Sequence, residues 1–401
     1  MDVVIIGAGQ AGAALAAKLR GLGHQGRITM VGDEPAPPYQ RPPLSKAYLL
    51  GQIGAERLWL RAPEFWAEHA VDLRLGTAAQ AIDPTAQTVT LTDGAVLPYD
   101  ALALTTGASP RRLPAAIGGD LAGVYTVRTL ADVNAMQPEF APGRRVLIVG
   151  GGYIGLEAAA VASKLGLQVT VLEMAPRILQ RVASPETSAY FRALHAAHGV
   201  TILESTGLDR LLGDGHVSGA RLSDGREVAA DFVIVGVGVT PNTRLAEAAG
   251  ITIDNGIATD AQGRTSAPQV WAAGDCASFP WQGGRLRLES VGNAIDQAEA
   301  VAANMLGGAC AYQATPWFWS DQYDCKLQIA GLNTGYDRII TRPGTGGAVS
   351  FWYYRGPQLL ALDAMNDPRA YMVGKRLIEA GRSPDPALVA DPASDIKALL
   401  A

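Results

Sequence analysis

Cysteine is scarce in this chain: three residues in 401, at Cys276, Cys310 and Cys325. They form no C-x-x-C pair and sit in no His-rich setting. Neither a disulfide framework nor a metal site is therefore expected, and a reducing cytoplasm is the expected location. Charge is also thin, with 18% charged residues and a formal net charge of -5. That lacks the basic excess typical of a nucleic-acid binder. Long apolar runs are missing: none approaches the ~18 residues of a membrane span. The run Val3-Val4-Ile5-Ile6 follows directly on Met1-Asp2. With no basic stretch before it, and at that length, it is not expected to act as a signal peptide.

Glycine, by contrast, is plentiful at 46 residues, and 48% of the chain is hydrophobic. At roughly 150 residues per domain, the length predicts two to three domains, each with its own core. The glycines are organised. Val3–Ile6 is a predicted strand ending in Gly7-Ala8-Gly9-Gln10-Ala11-Gly12. A helical pattern follows over residues 13–22, then a strand over 28–31 and the acids Asp33 and Glu34. Arg145–Val149 begins the same series again. Gly150-Gly151-Gly152-Tyr153-Ile154-Gly155 is the turn, 156–165 the helix, 169–172 the strand and Glu173 the acid.

The repetition runs further. Residues 92–107 read TDGAVLPYDALALTTG and residues 223–238 read SDGREVAADFVIVGVG, aligned without a gap. Each is an Asp-Gly turn between strands, an aspartate, and an apolar strand closed by Gly. The chain therefore carries two copies of one fold plan. Residues 290–306 read as a helix. From 315 onward aromatic clusters appear, Trp317-Phe318-Trp319 and Phe351-Trp352-Tyr353-Tyr354, and mark a third domain. Residues 391–401 read as a short terminal helix.

A lone G-x-G-x-x-G is weak evidence, but here each copy has a strand before it, a helix after it and an acid closing the next strand. The first Gly allows a tight turn, the second lets backbone approach a pyrophosphate, and the third lets helix pack on strand. The helix N-terminus then offers free N–H groups to phosphates. Asp33 or Glu34 in the first copy, and Glu173 in the second, are expected to accept from ribose hydroxyls. A 2′-phosphate would meet Glu173 as a like charge. At about 4 Å and an effective dielectric near 20 that repulsion is about 4 kcal/mol, so NADH is expected over NADPH. Two such folds call for two dinucleotides, and FAD with NADH is the pair between which hydride can pass.

At this level the chain resembles the two-dinucleotide-binding-domain flavoprotein reductases, and within them the ferredoxin reductases of the putidaredoxin reductase type. Arg41-Pro42-Pro43-Leu44-Ser45-Lys46, Thr105-Thr106-Gly107, Val237 to Asn242 and Ala273-Gly274-Asp275 carry the wider likeness. Glu289-Ser290-Val291 and Trp317-Phe318-Trp319-Ser320-Asp321-Gln322 carry the specific one. The resemblance implies an α/β fold of two Rossmann-like domains, the second inserted in the first, plus an α+β C-terminal domain. Residues 1–110 and 239–314 would bind FAD, 111–238 NADH, and 315–401 would face the ferredoxin.

For FAD the resemblance implies Gly7, Gly9, Ala11, Gly12, Asp33, Arg41, Lys46, Ala79, Thr106, Gly107, Arg128, Asp275, Val291 and Trp319. Ala79 departs from the Val expected there. For NADH it implies Gly150, Gly152, Tyr153, Ile154, Gly155, Glu157, Glu173, Gly238 and Glu289. Lys46, Glu157 and Trp319 are the expected catalytic groups: the Lys46 ammonium near the reacting edge of the flavin, Glu157 paired with it, and Trp319 offering a flat face.

The disulfide reductases of this superfamily carry a C-x4-C pair beside the flavin. This chain has no cysteine before Cys276, so a dithiol relay is excluded. Cys276 reads as a small buried filler. The implied partner is a two-iron two-sulfur ferredoxin supplying a haem-thiolate monooxygenase, with Arg61 and Lys326 as candidate docking charges. Other readings are the reductase of a ring-hydroxylating dioxygenase system, an NADH oxidase or apoptosis-factor-like dehydrogenase, or a nucleotide-responsive binding protein with a structural flavin.

Overall fold

A computed structural model describes residues 1–400. The chain folds into two compact units. The first comprises Met1–Arg41, Gly54–Ser109 and Val239–Pro316; the second comprises Pro42–Ile53, Pro110–Gly238 and the chain from Trp317 onward.

The first unit is built on a parallel five-stranded sheet, in the order Val270–Ala272, Ala101–Leu104, Val3–Ile6, Ile28–Gly32, Val71–Leu75. Its inner strands are apolar except for Thr29 and are buried along their length, as expected where helices cover both faces. The helices Gln10–Gly21 and Val291–Met305 pack on it through Ala13, Ala16, Ala298 and Ala302. These small side chains let helix backbones lie close.

The second unit repeats that sheet: Thr201–Leu203, Gln168–Leu172, Arg145–Val149, Phe232–Val235, Val124–Thr126, again all parallel. The sheets differ in how the last strand arrives. Val270–Ala272 comes after the rest of its fold, whereas Val124–Thr126 comes before. Each unit also carries an antiparallel three-stranded sheet, Ala79–Asp83 with Thr88–Leu91 and Val96–Pro98, and Leu208–Asp214 with His216–Leu222 and Glu227–Ala229. The Asp-Gly turns occupy equivalent hairpins. Gly94 and Gly225 both have φ +86°. Asp93 Oδ1 accepts from the Ala95 N–H at 2.9 Å and Asp224 Oδ1 from the Arg226 N–H at 3.0 Å.

The segment from Trp317 forms an antiparallel sheet in the order Trp317–Gln322, Cys325–Gly331, Gln358–Met365, Val349–Arg355, Arg338–Pro343. The helix Pro368–Glu379 covers one face through Ala370, Val373 and Leu377. The terminal helix expected over 391–401 is a 3-10 turn, Ile396–Leu400, preceded by a short helix Pro386–Ala390; Ala401 lies outside the described residues. Among the described residues no helix is long and apolar enough to cross a membrane.

Candidate functional site: two glycine loops and a buried lysine–glutamate pair

The two glycine loops are built alike. Gly7 and Gly150 take φ +115° and +112°, a region closed to most side chains. A Cβ on Gly7 would stand 2.2 Å from the Thr105 carbonyl oxygen, and one on Gly150 2.4 Å from that of Gly236. On Gly12 and Gly155 it would meet the Gly7 and Gly150 carbonyl oxygens at 2.0 and 2.2 Å. The middle glycines behave differently: a Cβ on Gly9 or Gly152 meets nothing within 4 Å. First and third glycines are thus required by the protein's own packing. The second opens onto free space, as a loop must where a phosphate approaches.

Helix capping points the same way. Of the five helices of twelve residues or more among the described residues, three have side-chain N-caps, from Ser184, Ser290 and Asp367. The two behind the glycine loops, Gln10–Gly21 and Tyr153–Lys164, start from Gly9 and Gly152 with no side-chain cap. Their first-turn N–H groups are left for an anion. The residues present therefore fit a dinucleotide at each loop.

In the first unit the two acids after the second strand differ in their partners. Glu34 accepts from Arg41 Nη2 and from Tyr39 Oη, both at 2.6 Å. Asp33 is exposed, makes no side-chain hydrogen bond among the described residues, and is close enough to Arg41 to help raise its pKa. Arg41 is held against Glu34 and over the Tyr39 ring at 5.0 Å; these neighbours raise its pKa against the opposing effect of burial. Thr106 Oγ1 donates to the Asn242 carbonyl at 2.7 Å and Asn242 Nδ2 returns a bond to the Thr106 carbonyl at 2.8 Å. This reciprocal clamp joins two of the sequence motifs beside Gly107.

The Ala273-Gly274-Asp275 motif lies against the first helix: a Cβ on Gly274 would come within 3.0 Å of the Ala11 Cβ. Gln297 Oε1, not singled out from sequence, accepts the Gly274 N–H at 2.9 Å. Val291 opens the helix capped by Ser290, and Ala79 opens its strand, both half-buried. Glu289, assigned from sequence to NADH, belongs to this unit, is exposed, and pairs with Arg287 at 2.5 Å. Cys276 is buried, with its Sγ towards the Leu104 and Ala273 carbonyls.

In the second unit Glu173 has a partner set that sequence did not reveal. Its Oε2 accepts the Gly151 N–H at 2.8 Å and its Oε1 the Ala175 N–H at 2.7 Å. The carboxylate that closes the strand also pins the glycine loop, while each oxygen retains a lone pair. Gly238, at φ +98°, lies beside the exposed Arg181. Tyr153 and the exposed Ile154 stand in the first turn of the helix. The Tyr153 hydroxyl is buried without a partner, and burial, with Asp363 nearby, pushes its pKa well up.

The centre of this unit is Glu157, 4% exposed on that helix. Lys46 Nζ donates to its Oε2 at 2.6 Å and Ser45 Oγ to the same atom at 2.7 Å; Ser320 Oγ donates to Oε1 at 2.7 Å. The expected Lys46–Glu157 pair is present, and the two serines are the partners sequence missed. Three donors thus converge on one buried carboxylate, opposite the Lys46 ammonium. Trp319, two strand positions from Trp317, stacks on it with centroids 5.5 Å apart and planes at 22°. Arg128 precedes a helix whose capping box, Thr129 with Asp132, also takes the Arg128 N–H.

A pyridine nucleotide-disulphide oxidoreductase match spans residues 1–298, and a reductase C-terminal match spans 317–400. The chain is 45% identical to a ferredoxin–NAD(P)+ reductase of Sphingomonas sp., covering 99% of this chain and 97% of the relative. It is 41% identical to the ferredoxin–NAD+ reductase component of the anthranilate 1,2-dioxygenase system of Burkholderia cepacia, covering 99% and 98%. The solved covalent putidaredoxin reductase–putidaredoxin complex superposes with a TM-score of 0.96 at 40% identity, covering 100% of this chain and 98% of that one. With its duplicated Rossmann sheets and antiparallel C-terminal sheet, this chain belongs to the pyridine nucleotide-disulphide oxidoreductases, as a FAD-dependent, NAD(H)-using reductase of the putidaredoxin reductase type.

Proposed function

We propose that this enzyme takes hydride from NADH and delivers the electrons singly to a two-iron two-sulfur ferredoxin that serves a haem-thiolate monooxygenase. Bound FAD supplies the one chemistry no side chain here offers, accepting two electrons together and releasing them one at a time. The observation that carries the reading is the pair of glycine loops, each with an open second glycine and an uncapped helix, in a chain with no cysteine before Cys276. Each loop fits a dinucleotide, and no C-x4-C pair is available to relay electrons as a dithiol.

In this reading Gly7, Gly9, Gly12 and Asp33 hold the adenosine half of FAD. Gly150, Gly152, Gly155 and Glu173 hold NADH. Lys46 carries positive charge towards the reacting ring, Glu157 fixes that ammonium, and Trp319 borders the ring. Arg61 on the first unit and Lys326 on the second are exposed cations that would guide an acidic ferredoxin. A second reading, the reductase of a ring-hydroxylating dioxygenase system, is favoured by the 41% identity to the Burkholderia cepacia component.

The experiment mixes the FAD-loaded protein and NADH with candidate two-iron ferredoxins and follows cluster bleaching. Fast reduction of a ferredoxin that feeds a haem-thiolate oxygenase is expected. Fast turnover with oxygen alone would make the enzyme an NADH oxidase. Preference for a dioxygenase ferredoxin would select the second reading.

A further inference from the structure

The segment Ser320-Asp321-Gln322 has a pattern that the proposed function leaves unexplained. Alternate residues of a strand share a face, so Ser320 and Gln322 point the same way, and both are fully buried. Two neutral polar side chains on the inner face of a strand require partners. Ser320 has Glu157. Gln322 reaches the other way: its Oε1 lies 2.8 Å from His195 Nε2, while its Nε2 lies 3.1 Å from Ser320 Oγ. His195 is itself fully buried, and its Nδ1 lies 3.0 Å from the Tyr323 hydroxyl. The series Tyr323, His195, Gln322, Ser320, Glu157, Lys46 is thus continuous, and every member belongs to the second unit.

Only one direction of donation satisfies all the links. Glu157 takes donors from Ser45, Lys46 and Ser320, so the Ser320 proton points at it. Ser320 Oγ must then accept from Gln322, which fixes the amide nitrogen on that side and the amide oxygen towards His195. An oxygen facing Nε2 requires the proton to be there, which leaves Nδ1 to accept from Tyr323. Burial lowers the His195 pKa to about 4, so the ring is neutral and carries one proton. Bonds aligned head to tail polarise one another, and this chain ends in a carboxylate.

The far end is anchored at a backbone cost. Tyr323 sits in a two-residue turn at φ +57°, a position glycine or asparagine fills more readily. There its ring stacks on His198, with centroids 3.6 Å apart and planes at 13°. The groups facing His195 are Gln322 and Tyr323 from the strand and its turn, and His198, which caps the C-terminus of its helix. Those facing Glu157 are Ser45 and Lys46, Ser320, and Tyr153 from its own helix.

We propose that His195 is a positioning residue for the Lys46–Glu157 pair: by presenting its Nε2 proton it fixes the orientation of the Gln322 amide, and so keeps the Ser320 hydroxyl on Glu157. Without that proton the amide is free to turn its oxygen to Ser320. Ser320 then donates to the amide, and the carboxylate loses one of its three donors. The negative charge beside Lys46 is then less dispersed, and the ammonium does less for charge developing beyond it. The functional half of this inference rests on the assignment of Lys46 to the flavin edge.

The test has a spectroscopic arm and a kinetic arm, both on the FAD-loaded protein. Nitrogen-15 NMR of labelled histidine is expected to show His195 as the neutral Nε2–H tautomer between about pH 6 and 8. A Nδ1–H tautomer or an imidazolium there would overturn the chain. His195→Phe is expected to slow NADH-driven flavin bleaching by roughly fivefold to tenfold, the worth of about one hydrogen bond, with the Kd for NADH unchanged. The flavin midpoint potential should fall by about 30 mV, the two-electron equivalent of a tenfold change. His195→Gln, which places an amide N–H where Nε2–H was, should restore both to within about twofold of the parent.

If His195→Phe does not fold, Tyr323→Phe replaces it. It removes the donor to Nδ1 and should mix the tautomers and slow bleaching about threefold, again part of one hydrogen bond. A folded His195→Phe or Tyr323→Phe with parental rate and potential, or an equal loss in His195→Gln, would overturn the proposal. Lys46→Met separates the two levels. If it bleaches normally, the flavin-edge assignment fails and the functional half falls with it. If it is slow while His195→Phe is normal, only the present inference fails.

Discussion

Two buried groups in the second unit make opposite, measurable contributions to stability as pH changes. Asp363 is 1% exposed. It accepts from Thr187 Oγ1 at 2.6 Å and from Tyr353 Oη, yet burial outweighs these bonds and lifts its pKa from 3.8 to about 6. The folded state binds its proton more tightly than the unfolded chain. Its contribution is therefore complete below about pH 4 and is lost as pH rises through about 6. Roughly two units at 1.36 kcal/mol each make that about 3 kcal/mol. His195 has the opposite sign. Its pKa falls from 6.5 to about 4, so its contribution is complete above pH 6.5 and is lost as pH falls towards 4, again by about 3 kcal/mol.

Across pH 4 to 6 the two nearly cancel in the parent protein, and removing either should unmask the other. Asp363→Asn keeps an acceptor and removes the titration. Relative to the parent, it should lose about 3 kcal/mol of stability on acidification from about pH 6.5 to 4. His195→Gln should do the reverse, gaining relative stability over the same interval. Calorimetric or denaturant unfolding of the two variants and the parent at half-unit pH steps measures both slopes. A pH-independent difference between either variant and the parent would refute the reasoning, because it would mean that the group does not change its proton affinity on folding.

The glycine loop gives a sharper contrast: Gly9→Ala, whose Cβ meets only open space, should lose its yellow FAD absorbance yet match the Tm of the FAD-free parent, whereas Gly12→Ala, 2.0 Å from the Gly7 carbonyl, should lower Tm even when both proteins are compared without FAD. Glu173→Arg should raise the ratio of kcat/KM for NADPH over NADH by about 10² or more, while the lost bonds to Gly151 and Ala175 lower the NADH value; an unchanged ratio would remove Glu173 from the ribose. The KM for ferredoxin, and not that for NADH, should rise with ionic strength and with Arg61→Ala or Lys326→Ala, since the Debye length shrinks from about 10 Å at 0.1 M to about 3 Å at 1 M; salt-indifferent turnover would exclude charged docking.

Much of this protein was legible from residue order. The strand Arg145–Val149 falls where the apolar run placed it, and the helix Val291–Met305 starts one residue after the Ser290 that heads the expected pattern. The glycine-loop helices begin at Gln10 and Tyr153, earlier than residues 13 and 156, because a helix can start at a glycine cap before its apolar stripe becomes regular. The duplication was also visible. Strand, turn and helix signals are local, and a repeat written in the same order twice needs no tertiary information to be seen.

What sequence left open were the choices made by long-range contacts. Asp33 and Glu34 are neighbours of identical charge, and only the fold, by bringing Arg41 and Tyr39 to Glu34, leaves Asp33 exposed. Glu173 was readable as the acid closing its strand, but its grip on the Gly151 N–H depends on how the loop turns back over the strand. Lys46 and Glu157 are 111 positions apart, and Glu157 and Ser320 are 163 apart. No periodicity links them. A buried carboxylate collects its donors from whichever strands and turns close around it, and His195 joins them because a buried glutamine amide must be satisfied at both ends. Local physics fixes which elements form and which glycine turns join them; desolvation, which exists only once the chain has closed, decides which polar groups must find one another.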